Sequence, residues 1–174
     1  MSSQPAGKRA GRVMLFLAWG AGMFLATHFF GNLEDKQRNP NRDPQSIHAN
    51  GYVEVRLASS RQGHYYANGQ INGENVEFLL DTGATDVAVP ADLAKRLGLP
   101  AGAEVRLRTA NGQTTGHRTR LKQLKLGDIV LRDVAALIAP GMAGDEVLLG
   151  MSALKKLEFT QRDGTLLLRQ STLQ

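Results

Sequence analysis

Asp81-Thr82-Gly83, set directly behind the apolar run Val76-Glu77-Phe78-Leu79-Leu80, is where residue types and spacing in this chain converge on chemistry. A short β-favouring run that stops at Thr-Gly reads as a buried strand ending in a tight loop, so the carboxylate is delivered to the edge of a core. Burial disfavours the charged form of a carboxyl group, and a second carboxylate close by disfavours it further in one of the two. Two carboxyl groups that share one proton and hold one water can hydrolyse a peptide bond without metal or side-chain nucleophile. The ionised group takes a proton from the water as it attacks, and the protonated group polarises the carbonyl. The chain holds one Asp-Thr-Gly. Its other Asp-Gly, Asp163-Gly164, follows Arg162 in a turn-like stretch with no strand to aim it. A dyad therefore needs Asp81 from each of two chains, related by a two-fold axis.

Other chemistries have little support. The 174 residues include no cysteine, which excludes disulfides, thiolate catalysis and cysteine-ligated zinc. His28, His48, His64 and His117 show no ligand spacing, so neither a metal nor another cofactor is expected. The formal charge of +5 is uneven: residues 1–12 contribute +3 and residues 47–174 only +2. The basic balance thus belongs largely to the tail, and no nucleic-acid partner is expected. Arg118, Arg120 and Lys122 alternate along one strand face, the pattern of a solvated surface.

The elements that must hold Asp81 follow from periodicity. Val53, Val55 and Leu57 alternate with Glu54 and Arg56, as in a strand with one wet face. Residues 64–71 and 76–80 flank the hairpin turn Asn72-Gly73, and residues 87–89 resume a strand beyond the Asp81 loop. Pro90 opens a short helix over residues 91–97, with Leu93, Ala94 and Leu97 inward and Gly98 placed to end it. Residues 105–109 and 118–126 flank Asn111-Gly112, a second hairpin. Strands over 129–138 and 147–149, a helical turn or two over 152–157 and a last hairpin about Asp163-Gly164 complete the chain. Many short strands with one or two short helices predict an all-β, closed or partly open barrel over residues 47–174.

Upstream, residues 13–30 contain no Asp, Glu, Lys or Arg and are just long enough for a transmembrane helix. The competing reading is a cleaved secretory signal behind Lys8, Arg9 and Arg12, but Ala26-Thr27-His28 makes a poor cleavage site. The basic residues of the short 1–12 tail lie close to the helix end and favour a cytoplasmic tail with the domain outside. Residues 31–46 are polar, contain two prolines and read as a linker.

Leu79-Leu80-Asp81-Thr82-Gly83-Ala84, joined to the later Val147-Leu148-Leu149-Gly150-Met151 and to a domain of this length, resembles the single-domain, retropepsin-like aspartic peptidases, here of a bacterial, single-pass membrane-anchored type. The resemblance implies a retropepsin-like barrel, a homodimer with Asp81 as catalytic residue in each chain, and protein or peptide substrates. It implies that Thr82 hydrogen-bonds across the axis, that Gly83 admits substrate backbone, and that the hairpin tip Ala110-Asn111-Gly112 is a flap over the substrate. A bacterial inner-membrane anchor with the domain in the periplasm is the matching location. Two departures stand out. An acidic residue and an arginine that pair in retroviral relatives are here Thr85 and Met151, a joint loss that leaves no buried charge unpaired. Ala84 has no hydroxyl to donate to the carboxylate, and activity at weakly acidic to neutral pH is expected. The rival reading is a catalytically inactive binding or dimerisation module of the same fold.

Overall fold

A computed structural model describes Met14, residues 16–25, Thr27, residues 37–109 and residues 112–172. The chain divides into two units, Met1–Gln37 and Arg38–Gln174. In the first, the described residues from Met14 to Thr27 are helical, and their large side chains, Trp19 and Phe16 among them, are exposed. No helix among the described residues is long and apolar enough to cross a membrane. The span expected over 13–30 includes positions outside the described residues, as do the whole 1–12 tail and residues 31–36.

The second unit holds eleven strands: β1 (Ser46–Ala49), β2 (Tyr52–Ala58), β3 (Tyr66–Ile71), β4 (Glu74–Leu80), β5 (Val87–Pro90), β6 (Glu104–Thr109), β7 (Gly112–Leu126), β8 (Ile129–Ala139), β9 (Glu146–Leu149), β10 (Glu158–Arg162) and β11 (Thr165–Ser171). Two short helices, Ala91–Arg96 and Met151–Leu154, follow β5 and β9. The hairpins fall where turn chemistry placed them: Asn72 and Gly73 both take positive φ, as do Asp163 and Gly164, which matches the twist of the flanking strands. The third strand starts two residues later than the periodicity suggested, and the second arm of the Asn111-Gly112 hairpin runs unbroken from Gly112.

One sheet has the order β3-β4-β9-β5-β8-β7-β6, and β3 also pairs with β7 through Gln70 with Lys125 and Ile71 with Leu124. Six strands thus close a ring, with β6 hung on the first part of β7. At the seam Gly69 leaves room for Phe78, whose ring would lie 2.6 Å from an added Cβ. A second sheet, β1-β2-β11-β10, packs against the ring, and Val55, Leu57 and Leu168 share one apolar core with Phe78, Leu121, Ile129 and Leu149. Each fully buried side chain of this size contributes roughly 1.5–3 kcal/mol.

Two polar features depart from the sequence reading. The face of β2 opposite the core is not wet at Glu54, which is only 2% exposed. Its oxygens accept from Arg56 Nε and Arg169 Nε, each at 2.7 Å, and the Arg169 guanidinium lies 4.8 Å from the centre of the Tyr52 ring. Further upstream, the later part of the expected linker is a strap packed on the barrel. Asn41 is buried, donating to the carbonyls of Ala58 (2.9 Å) and Tyr66 (2.6 Å) and accepting from Ala58 N–H (2.8 Å), so one amide joins β2 to β3. A polar segment can bury itself where distant backbone groups satisfy it.

Hydrogen bonds from Arg169 and then Arg56 hold the Glu54 carboxyl below its ordinary value, against the opposing effect of burial. A depressed carboxyl contributes stability that is complete above its unfolded value and is lost as pH falls through the folded one. Glu54→Gln should cost about 1–3 kcal/mol at pH 7 and flatten the acid limb of the stability curve, as read by urea unfolding midpoints between neutral and acid pH.

Candidate active site

The loop carrying Asp81 is shaped by a crossing of strands. Between the consecutive strands β4 and β5 lies β9, parallel to β4 through Leu80 with Leu149 and antiparallel to β5 at Ala88 with Leu148. Residues 81–86 must therefore pass over the end of β9. The passage is tight: a Cβ on Gly150 would lie 2.7 Å from the Ala84 carbonyl oxygen and closer still to that of Asp86. The chain meets the loop instead with backbone. Asp81 N–H donates to Leu149 O (3.2 Å), Met151 N–H to Ala84 O (2.8 Å) and Ser152 N–H to Thr85 O (2.9 Å). Thr85 and Met151, where an ion pair is missing, thus hold the loop through main-chain bonds.

Ser152 adds a bond that sequence reasoning missed. Its buried hydroxyl accepts from Val87 N–H (3.0 Å) and donates to Ala135 O (2.7 Å), tying the loop's exit to β8. The available signal was a hydroxyl residue in the first turn after Leu148-Leu149-Gly150, where a side chain points back at the crossing strands.

Within this frame Asp81 is half-buried, while Thr82 and Gly83 are exposed. Gly83 N–H donates to Asp81 Oδ1 at 2.8 Å, which orients the carboxylate, and Ala84 N–H donates to Asp81 O at 3.2 Å, which closes the turn. Asp81 opens on a cleft of about 280 Å³ whose walls include His64, Tyr65, Leu154, Phe159 and Gln161. Among the described residues lining it, Asp81 is the one acid. Asp163 is far more exposed, sits in the β10–β11 turn and pairs with Arg162. Of the expected flap, Gly112 begins β7 with φ 111°, while Ala110 and Asn111 lie outside the described residues. Among the described residues no group of three or more His, Cys, Asp or Glu is disposed to hold a metal.

This barrel, with its Asp-Thr-Gly loop crossing an apolar-apolar-Gly strand, is matched by the family model of the gag-polyprotein putative aspartyl proteases over residues 67–156. The chain belongs to that family of retropepsin-like aspartic peptidases. It is similar to an uncharacterised protein in the cobV 5′ region of a Sinorhizobium species, 33% identical over 135 residues, which cover 76% of this chain and 58% of that one. An uncharacterised Rickettsia prowazekii protein is 30% identical over 118 residues, covering 66% of this chain and 50% of its own. The chain thus spans about half the length of these curated relatives. The crystal structure of a retropepsin-like aspartic protease from Rickettsia conorii shares the fold, with a TM-score of 0.56, 24% identity, and coverage of 74% of this chain and 95% of that one.

Ser152→Ala would leave the Val87 N–H and the Ala135 carbonyl without their buried partner, at about 1–3 kcal/mol. Thermal unfolding should report that loss, and the amide of Val87 should exchange with solvent faster than in the parent protein.

Proposed function

We propose that the chain is an aspartic endopeptidase whose active site forms when two copies bring their Asp81 carboxylates together, anchored in a membrane by its N-terminal helix. The observation that carries this reading is a single oriented carboxylate, on a loop held by residues 149–152, whose outward residues Thr82 and Gly83 are exposed. One such group has no partner for acid–base work; two, about 3 Å apart across a two-fold axis, share a proton and hold the attacking water. One carboxylate takes the proton of that water, the other donates to the substrate carbonyl oxygen, and breakdown returns a proton to the leaving amine.

A second copy also accounts for the surroundings. Phe159 is 40% exposed on β10, an edge strand with all five residues exposed, and it lines the same cleft as Asp81. An axis through Asp81 brings a partner over this surface, covering an apolar side chain and an open strand edge. In this reading the β6–β7 hairpin is the flap. At its base Gly116 passes so close to β8 that an added Cβ would lie 2.6 Å from the Ile138 carbonyl, so only glycine fits there.

The anchor is supported by the N-terminal unit. Met14, Phe16, Leu17, Trp19, Met23, Phe24 and Leu25 are 65–74% exposed, an apolar surface that needs a cover. Lipid provides one, and the basic tail favours an inner-membrane position with the domain in the periplasm. Enzyme fusions reporting on which side each terminus lies test the orientation; a domain found in the cytoplasm would reverse it.

Peptide hydrolysis by the full chain in detergent should rise faster than linearly with protein concentration, be maximal at weakly acidic to neutral pH, and vanish in Asp81→Asn. Phe159→Asp should weaken self-association about tenfold or more, read by sedimentation and by a matching shift in the activity curve. A well-folded dimer that cleaves nothing in a broad peptide library from acid to neutral pH would leave a binding module of the same fold.

A further inference from the structure

Glu77 and Glu146 face one another on the parallel strands β4 and β9, with side chains 27% and 24% exposed. Like charges directly opposite on neighbouring strands repel. One residue of the upstream strap answers both: Arg38 Nη2 donates to Glu77 Oε2 at 3.1 Å and to Glu146 Oε2 at 2.8 Å. Its guanidinium carbon lies 5.4 Å from the centre of the Tyr66 ring on β3. The next residue, Asn39, is buried and donates to Glu77 Oε1 (2.9 Å) and Asn68 Oδ1 (3.0 Å). The strap therefore grips three successive strands of the ring.

Two of these strands make the active-site loop. Four residues beyond Glu77 the chain reaches Asp81, and four residues beyond Glu146 it reaches Gly150, directly beneath that loop. The β4–β9 ladder is only four register pairs long, and the glutamates form its first pair. With Arg38 itself 55% exposed, the attraction alone is modest. Its leverage is positional: the charged pair heads a short ladder, so parting there reaches the far end within four residues.

From this we infer that Arg38 is a positioning residue for the Asp81 loop, acting through the register of β4 on β9. The segment before the barrel is thus part of the catalytic framework. The consequence for turnover rests on the peptidase reading above; the structural coupling does not.

Amide hydrogen exchange on the full chain separates the two. Arg38→Ala should speed exchange of the amides of residues 81–84 and 149–152 about three- to tenfold, and Glu146→Gln added to it should restore most of the protection by removing the repulsion. Arg38→Lys, which keeps the charge without the planar fork, should fall between. Peptide turnover should follow the same order in kcat, with KM little changed. Faster exchange confined to the strap and the strand heads, with the loop amides unchanged, would overturn the inference, as would a double variant no better protected than Arg38→Ala. If the parent protein cleaves no peptide yet the exchange pattern appears, the peptidase reading fails and the coupling stands.

Discussion

Everything at the Asp81 end of this barrel depends on one steric constraint: two consecutive strands are separated by a third, and the loop between them must cross its end at backbone distance. Only Gly150 lets the crossing close, because any side chain there would occupy the space of the Ala84 and Asp86 carbonyls. Once it closes, the hydrogen bonds follow from proximity, with donors from Asp81, Met151 and Ser152 meeting carbonyls of Leu149, Ala84 and Thr85. The loop owes its shape to the main chain and to one buried serine hydroxyl. Its exposed positions, Thr82 and Gly83, are correspondingly free to serve contacts outside the chain.

Charge is handled differently in the two sheets. On the outer face of the four-stranded sheet Glu54 is covered by two arginines from β2 and β11, so a carboxylate is nearly lost to solvent without being left unpaired. On the ring, two glutamates that would repel are bridged by an arginine that arrives from outside the strands. The first arrangement fastens strands that are already paired antiparallel. The second compensates a parallel pairing in which like charges share a rung.

Most of the barrel was legible because its signals are local. Alternation in residues 53–57, the Asn72-Gly73 and Asp163-Gly164 turns, and Gly98 at the end of the first helix each report a backbone preference visible in a few residues. Asp81 was legible for the same reason, since an apolar strand and a following glycine announce the loop. What stayed hidden depends on partners far away in sequence. Asn39 and Asn41 look like linker residues until Glu77, Ala58 and Tyr66 are brought to them. Glu54 looks solvated until Arg169 arrives, and Ser152 looks like an ordinary helical serine until Val87 and Ala135 flank it. Polar side chains carry no periodic signature of burial, so their roles emerge only with the tertiary fold.

The crossing also sets an order in time. A chain leaving the ribosome presents Asp81 well before residues 149–152, yet the bonds that seat the loop on the barrel come from those residues. The ring cannot close before β9 ends at Leu149, and its β3–β7 seam already joins Gln70 to Lys125, fifty-five positions apart. A half-made molecule therefore has the aspartate without the strand crossing that seats its loop. Long-range closure of this kind slows folding, and here it leaves the Asp81 loop unseated until nearly the whole barrel exists.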